Sequence, residues 1–282
     1  MQYSLLNRFY HIIQAAVFPP KCLVCATFFR IPDQIRKGLC AGSGPDGHVR
    51  LLSVQDQLEI SLAAYLCPDC LAELVRVESP LCICCGIPFK SRQGQDHYCG
   101  ACTASVKKFG IARAPLVYDR TITEVIHCFK YRGKIQLARP LGELLLTAFM
   151  FFWDKGSIDI VLPVPLHPVR FRRRGFNQAY LLIRNWPDMA AGGFCDFPPI
   201  RIERDVLIRK FPTAPQTALG RAQRAVNIKN AFDLKREEAI VDKRVLLIDD
   251  VYTTGATVNE CCRLLLSRGA HRVDVLTLAR AI

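Results

Sequence analysis

Two adjacent carboxylates, several hydroxyls and a glycine follow a short apolar segment near the end of the 282-residue chain. The apolar segment is 245–248, and Asp249 and Asp250 come directly after it. Open α/β sheets bind ligands beyond the carboxyl ends of their strands, so these acids are placed to bind sugar hydroxyls or Mg²⁺. The next residues are small enough for backbone amides to approach a phosphate: Thr253, Thr254, Gly255, Ala256 and Thr257. We therefore expect a pocket for a phosphorylated sugar.

The same turn predicts a helix that continues to Ser267, with Thr257 or a neighbour as its N-cap. Asp and Thr often serve only as caps at such turns, so a lone DD or TTG pair favours neither role. The complete string 244–258 is far more specific, and it resembles the phosphoribosyl pyrophosphate (PRPP) motif of type I phosphoribosyltransferases. The resemblance implies that Asp249 and Asp250 bind the ribose hydroxyls and that residues 253–257 bind the 5′-phosphate.

Eight of the fourteen cysteines form four CxxC pairs, which suffice for two tetrahedral zinc sites. In the second quartet, thirteen residues separate the two pairs, whereas forty-one residues separate those of the first quartet, so the first is the less regular. A closed Cys₄ site leaves no open position for substrate, which favours a structural role over catalysis. The proposed ligands are Cys22, Cys25, Cys67 and Cys70 in the first quartet, and Cys82, Cys85, Cys99 and Cys102 in the second.

Other cysteines and the ribbon surface leave alternatives open. A zinc ribbon can also bind nucleic acid, but only a thin basic and aromatic cluster supports that role, at Phe89, Lys90, Arg92, His97 and Tyr98. Cys40 is a candidate spare ligand. We predict ordinary buried or half-buried thiols at Cys84, Cys128, Cys195, Cys261 and Cys262.

Composition and patterning predict two domains. Residues 1–106 form a double zinc-ribbon module with an insertion at about 27–66, and residues 107–282 alternate strands and helices, which predicts a parallel sheet flanked by helices. Within the insertion, a helix is expected after Val54. The predicted strands are 111–118, 158–164, 245–248 and 272–278, and the predicted helices are 123–131, 137–152, 176–184 and 258–267.

The chain carries 38 Lys and Arg against 25 Asp and Glu, a net charge of +13. This favours a polyanionic partner: a phosphorylated substrate, nucleic acid or an anionic membrane surface. The run 5–20 predicts an amphipathic cover for the first metal knuckle, with a membrane-surface helix as the alternative. The apolar stretch 144–153 is too short to span a bilayer and predicts a core helix. We expect no transmembrane segment and a cytoplasmic protein, with peripheral attachment to the inner membrane as a further option.

The order of the motifs, a double zinc ribbon, FKYRGK, LPVPL, RFRRRGFNQ and the PRPP loop, resembles the ComF family, also called GntX-like, over nearly the whole chain. The resemblance implies a type I phosphoribosyltransferase fold with a flexible hood that closes over PRPP. By position, further PRPP-binding residues are Lys130, Val164, Pro165, Leu166 and Arg174. Matching hood positions are Thr213, Gln216, Leu219, Arg224, Asn227 and Phe232, and the candidates for stabilising departing pyrophosphate are Arg209, Lys210 and Arg224.

The resemblance implies a PRPP-binding protein of DNA uptake and natural transformation, with structural zinc at two sites and Mg²⁺ bound together with PRPP. Its expected partners are single-stranded DNA and a DNA-uptake helicase or membrane channel. Arg172 and Arg173, with Arg174, are placed to meet phosphates, although a charge run is more often a solvated face. The alternative is an active phosphoribosyltransferase, in which an acceptor attacks the anomeric carbon as pyrophosphate leaves. A PRPP-sensing regulator is a third, weaker hypothesis, and no motif identifies the acceptor.

Overall fold

A parallel sheet forms the centre of the protein. The computed structural model describes residues 19–31, 54–91, 93–191, 201–211, 228 and 230–282. The sheet strands are β1 (Ala112–Arg113), β2 (Leu116–Val117), β3 (Ile160–Pro163), β6 (Arg244–Tyr252) and β7 (Arg272–Arg280). Their spatial order is β1-β7-β6-β3, and β2 continues along β7 beyond β1. A separate antiparallel pair consists of β4 (Leu207–Arg209) and β5 (Phe232–Leu234).

Nine α-helices lie within the described ranges. Those before the sheet and on its first half are α1 (Val54–Leu62), α2 (Pro68–Ala72), α3 (Gly100–Ala104), α4 (Arg120–Tyr131) and α5 (Ala138–Phe152). The later ones are α6 (Pro168–Arg174), α7 (Gln178–Ile183), α8 (Trp186–Ala191) and α9 (Ala256–Ser267). Short 3₁₀ turns occur at Ile135–Leu137 and Glu237–Ala239.

Strand β6 separates two apolar cores. Successive side chains of a strand point to opposite faces. Accordingly, Leu246 and Ile248 pack with α4, α5 and α7, while Val245 and Leu247 pack with α9. A strand buried on both faces accounts for the uninterrupted apolar run in the sequence.

Both cysteine quartets are built into these cores. The first quartet shares a core with α1, α4 and α5, and the second shares the other core with β6, β7 and α9. Backbone hydrogen bonds join the modules: Ala112 N donates to Cys84 O (2.7 Å), and Val117 N donates to Val75 O (2.8 Å). Although residue 106 stays the proposed domain boundary, the two parts are packed tightly against each other.

The chain around the sheet departs from prediction at several strands. The expected strand 111–118 is interrupted between β1 and β2, where Pro115 has no N–H to donate. Strand β6 continues four residues past the predicted end at Ile248, because β7 pairs with it as far as Tyr252. Strand β3 starts two residues later than predicted and ends one residue earlier. The hairpin-like pair of β4 and β5 is not predicted.

Helix boundaries shift for identifiable reasons. Helix α4 begins at Arg120, three residues early, because Asp119 accepts a hydrogen bond from Ile122 N (3.2 Å). Helix α7 begins at Gln178, because Asn177 Oδ1 accepts from Ala179 N (3.0 Å) and caps it. The sequence predicts no helix for the arginine run. The structure forms α6 there, with proline at its first position and Gly175 in the left-handed region (φ 83°) after its last.

One helical stretch of the described chain, Ile135–Phe152, has the length and apolar composition of a membrane span. Within the structure, 61% of it is buried, as in the core helix predicted from the sequence. The predicted helix after Val54 is present as α1 and packs on α5. The predictions for 5–18 and for Cys40 and Cys195 lie outside the described residues.

Candidate functional site

A cleft of about 460 Å³ opens where β3 and β6 end. Strand β3 pairs with β6 over residues 245–248, and among the described residues no strand pairs with the rest of β6 on that side. Asp249 and Asp250 belong to this uncovered part of β6 and face the cleft. All twelve predicted PRPP-binding residues lie on its wall: Lys130, Val164, Pro165, Leu166, Arg174, Asp249, Asp250, Thr253, Thr254, Gly255, Ala256 and Thr257.

The two carboxylates have different environments. Asp250 is buried, and its Oδ1 accepts from Lys130 Nζ of α4 at 2.7 Å. Its other oxygen, Oδ2, is buried and has no hydrogen-bond partner among the described residues. Asp249 Oδ1 accepts from the backbone N of Asp250 (2.9 Å). Lys130 therefore neutralises one acid of the pair.

Burial and neighbouring charges shift the pKa values of Asp249 and Lys130. Burial, and after it the neighbouring charge of Asp250, raise the pKa of Asp249 to about 7 against the opposing effect of Lys130. Burial alone lowers the pKa of Lys130, but the two carboxylates outweigh it and the pKa is raised. Near neutral pH, Asp249 is thus poised between its charged and neutral forms, so a bound cation would favour the charged form.

We expect D249N to gain stability relative to the unmodified protein as pH rises from 5 to 8. Folding holds the pKa of Asp249 near 7, above about 3.9 in the unfolded chain, so the stabilisation from its protonated form is lost as pH rises through 7. Asparagine stays neutral and escapes this loss. Thermal denaturation of both ligand-free proteins at each pH measures the difference in their stability. Because the two proteins are compared at equal pH, the effects of other titrating groups on stability cancel. An equal difference at both pH values contradicts the prediction.

The loop after β6 leads directly into α9. Gly255 occupies the N-cap position with φ 76° and has no side chain, so Thr257, one of the two predicted alternatives with a neighbouring residue, is not the N-cap. Thr254 Oγ1 instead accepts from Ala256 N at 3.4 Å. The helix begins at Ala256, two residues before the prediction. Its amino-terminal amides border the cleft, an arrangement that favours bound phosphate.

Gly255 also lies too close to Tyr252 for a side chain. A Cβ placed on Gly255 would be 2.2 Å from Tyr252 Oη, in a backbone conformation that L-residues rarely adopt. We expect G255A to weaken PRPP binding at least tenfold, because the loop must shift. Gly175 has a similar φ of 83°, but a Cβ at Gly175 would meet nothing within 4 Å, so G175A is the matched control for backbone strain of about 1 kcal/mol. Equal effects of the two variants in calorimetric titrations would contradict this account.

The opposite wall contributes backbone and arginine groups. Val164 N donates to Ile248 O (2.8 Å) and Pro165 has no N–H, so of the three predicted loop residues only Leu166 carries an amide outside this ladder. Asn177 Nδ2 donates to Val164 O (3.0 Å) and fixes the turn. The turn therefore offers fewer amides to an anion than its sequence suggests.

Helix α6 divides the arginine run between two surfaces. Arg170 and Arg174, one helical turn apart, line the cleft, while Arg172 and Arg173 are exposed. Arg174 lies over the Tyr131 ring at 4.8 Å. Arg170 was not predicted from the sequence. A proline before the run and a glycine after it indicate a helix, and i,i+4 spacing would then have placed Arg170 beside Arg174.

The predicted catalytic residues are distributed unevenly. Arg209, on β4, is buried and lines the cleft, and burial lowers its pKa. Lys210 is half-exposed, pairs with Asp233 and does not line the cleft. Arg224 lies outside the described residues, as do the hood positions Thr213, Gln216, Leu219 and Asn227. Of the hood positions, Phe232 is described, and it lies on β5 beneath the Arg209 guanidinium.

The structure brings the eight predicted metal-ligating cysteines into two groups of four, with all sulfurs in each group within 4.8 Å of one another. Cys25 and Cys67 sulfurs are 3.6 Å apart, and Cys85 and Cys99 sulfurs are 3.7 Å apart. Tetrahedral zinc with bonds of about 2.3 Å separates sulfurs by about 3.8 Å, so the donor sets fit zinc. The long insertion therefore does not prevent the first quartet from assembling.

Backbone amides support the second quartet. Cys85 N and Cys99 N both donate to Cys82 Sγ at 3.4 Å. Gly86 has φ 66°, and a Cβ there would meet Ala112 O at 2.4 Å, which accounts for glycine at this knuckle. Gly100 does not share this role, because it begins α3 with open space around it. Outside the quartets, Cys128, Cys261 and Cys262 are buried and Cys84 is half-buried, as predicted.

Comparison with known proteins identifies both parts of the chain. A phosphoribosyl transferase domain model matches residues 205–282, and a double zinc ribbon domain model matches residues 57–103. DNA utilization protein YhgH of Escherichia coli (strain K12) is 30% identical over 221 residues, which cover 77% of this chain and 91% of that protein. The chain belongs to the ComF family. Competence protein F of Haemophilus influenzae is also 30% identical, over 77% of this chain and 90% of its own.

More distant ComF relatives and neighbours add little. Competence protein ComFC of Bacillus subtilis (strain 168) is 26% identical over 77% of this chain and 84% of its own. Among solved structures, a hypoxanthine phosphoribosyltransferase from Staphylococcus aureus aligns over 55% of this chain and 71% of its own at 17% identity. Its TM-score of 0.29 is too low to carry an argument. The fold assignment rests on the two family models together with the parallel sheet.

Proposed function

We propose that this ComF-family protein binds PRPP with Mg²⁺ in the cleft and acts in DNA uptake. The observation that carries the binding proposal is a set of buried polar atoms on the cleft wall that have no hydrogen-bond partner among the described residues: Asp250 Oδ2, Gln178 Oε1 and Arg174 Nη1. Leaving such atoms unpaired costs about 1–3 kcal/mol each. A polar, anionic ligand with vicinal hydroxyls would supply both the donors and the acceptors that they lack.

Each part of PRPP has a matching wall of the cleft. Asp249 and Asp250 accept from the ribose hydroxyls and provide oxygen ligands for Mg²⁺, which would offset the charge of the pyrophosphate. Residues 253–257 and the start of α9 bind the 5′-phosphate through backbone amides and hydroxyls. Arg170 and Arg174 approach the pyrophosphate from the opposite wall, where guanidinium groups bind phosphate oxygens in pairs.

Isothermal titration of the purified protein with PRPP and Mg²⁺ tests this proposal. We expect one site per chain, and a control titration with ATP and Mg²⁺ separates recognition of ribose 5-phosphate from general attraction of a basic protein for phosphate. Equal affinity for the two ligands, or no heat from PRPP at any protein concentration tested, would refute the site.

Arg209 supports the alternative of an active phosphoribosyltransferase. Its guanidinium is held at the cleft over Phe232, 5.3 Å from the ring centroid, where a departing pyrophosphate would gain stabilisation. In that reaction an acceptor forms a bond to the anomeric carbon, the bond to pyrophosphate breaks, and the electron pair leaves with the pyrophosphate. Lys210 and Arg224 would join on closure of the hood. Pyrophosphate release during incubation of PRPP with candidate acceptors measures this activity.

The names of the relatives, competence and DNA utilization proteins, support a role in DNA uptake. The net charge of +13 suits a single-stranded DNA partner. In this role the protein works in the cytoplasm at the inner membrane, beside a DNA-uptake helicase or membrane channel.

We expect R172A/R173A to weaken binding to single-stranded oligonucleotides and to leave PRPP affinity unchanged. Both side chains are exposed on α6, away from the cleft wall, and removing two phosphate contacts lowers the slope of log affinity against log salt by about 1.4. R120A/R139A removes the same charge from other exposed positions and is the control. R172A/R173A/R174A should additionally lower PRPP affinity. Fluorescence anisotropy across a salt series measures the effect, and equal losses in the two double variants would contradict it.

A further inference from the structure

The last residue of β7, Arg280, lies buried between the second cysteine quartet and the floor of the cleft. Its Nη2 is 3.3 Å from Cys85 Sγ, and its guanidinium carbon is 3.9 Å from the centroid of the Tyr252 ring. Its Nε and Nη1 are buried and have no hydrogen-bond partner among the described residues. The sulfur of the quartet and the face of the tyrosine are thus the groups that hold this cation in place.

Tyr252 connects Arg280 to the loop 253–257. It ends β6, pairs with Arg280 across the sheet and is itself buried, with Phe109 against its ring edge at 6.1 Å. Its hydroxyl occupies the space where a Cβ of Gly255 would lie. The turn 253–257 therefore packs at Gly255 against the hydroxyl end of the Tyr252 ring, and the Arg280 guanidinium lies against the same ring.

The position of Arg280 depends on the second quartet. Four thiolates around one Zn²⁺ carry a net charge of about −2, which attracts the guanidinium whose Nη2 lies 3.3 Å from Cys85 Sγ. Without zinc, the four sulfurs lose the ion that holds them in one cluster, so the contact of Cys85 Sγ with the Arg280 guanidinium (3.3 Å) loses its fixed position. Because Arg280 stacks on Tyr252, its displacement would remove the support beneath residues 253–257.

We propose that Arg280 is a positioning residue that couples zinc at the second quartet to the conformation of the 253–257 loop. Zinc-loaded protein has an ordered loop ready for a sugar phosphate, and zinc loss at the second quartet loosens it. Only the ligand readout of this proposal rests on the proposed function.

Hydrogen exchange and zinc content test this coupling between the second quartet and the 253–257 loop without any ligand. We expect R280M to retain two zinc ions per chain but to show at least tenfold faster amide exchange at residues 253–257, with R280K intermediate. R113M is the matched control: Arg113 is a half-buried arginine beside the same ribbon and donates to Ile83 O (3.0 Å), but its guanidinium lies over the Phe152 ring (5.9 Å to the centroid), which does not line the cleft. Unchanged exchange in R280M, or the same increase in R113M, overturns the proposal.

A second variant decides the case in which R280M loses zinc. Y252L leaves the quartet untouched and removes the ring, so loop exchange should rise by a similar factor, and R280M/Y252L should be no worse than either single variant. If the increases in amide exchange of the two single variants add up in R280M/Y252L, or if the 253–257 amides stay protected in Y252L, the proposed coupling is overturned.

Titration with PRPP and Mg²⁺ then gives the ligand readout, with about tenfold weaker binding expected for R280M and unchanged binding for R113M. If the unmodified protein fails to bind PRPP, the proposed function fails, but the hydrogen-exchange data still test the coupling between the second quartet and the 253–257 loop.

Discussion

D249N/D250N is expected to bind PRPP at least a hundredfold more weakly than the unmodified protein. Each carboxylate contributes charge-assisted hydrogen bonds of about 1.5–3 kcal/mol, and the pair also provides oxygen ligands for Mg²⁺. Two such losses total about 3–6 kcal/mol, or a factor of about 10² to 10⁴ in affinity. Asparagine preserves the shape of both side chains, so the change tests charge at the cleft. Calorimetric titration with PRPP and Mg²⁺ measures it.

Asp159, which contacts the opposite end of β6, provides the matched control. Asp159 binds Arg244, the first residue of β6, at 2.7 Å, and this pairing lowers the pKa of Asp159 to about 2. D159N therefore loses an ion pair of the sheet without touching the cleft, and PRPP affinity should be unchanged. If D249N/D250N bound PRPP as tightly as D159N, the carboxylates would not form the sugar site.

C102S is expected to lose one zinc ion per chain and to produce the largest loss of stability among these variants. A structural zinc site contributes folding free energy on the order of 10 kcal/mol in small modules. Cys102 is one of the four sulfurs of the second quartet, which shares an apolar core with β6, β7 and α9. The loss should therefore lower the unfolding temperature of the whole chain. Metal analysis and thermal denaturation measure both effects.

Cys84 supplies the control within the same knuckle. It lies between Cys82 and Cys85 but is not one of the four clustered sulfurs. C84S should retain two zinc ions and nearly unchanged stability. Equal zinc loss in C84S and C102S would show that the ligand set is assigned wrongly.

The strand-turn-helix at the cleft could be predicted because its information is local. An apolar run, two acids and a glycine-rich turn occupy fifteen consecutive residues, and their order imposes the order of the elements. The same holds for the cysteine pairs, whose spacing fixes the knuckle. The length of β6 could not be predicted, because its last residues are held by β7, which lies twenty or more positions further along the chain.

The pairing of side chains within the cleft was equally beyond the sequence. Lys130 was expected to bind PRPP, but the sequence does not show that the approach of α4 to β6 joins it to Asp250 over 120 positions of chain. Val164 was also expected to bind PRPP, but its backbone N–H donates to Ile248 O within the sheet. Such contacts depend on how helices and strands pack against one another, and the periodicity of apolar residues in the sequence does not reveal that packing.

By itself, the sequence determined the chemistry of this protein: two sets of four thiols, adjacent acids before a phosphate-binding turn, and a surplus of basic residues. It did so because metal ligation and anion recognition need particular residue types at short, fixed spacings. Only the tertiary structure decided what those groups face. It brought Arg280 between a cysteine quartet and Tyr252, placed Arg170 at the cleft, and closed the first quartet across a long insertion. Those outcomes follow from long-range packing of two apolar cores around one strand.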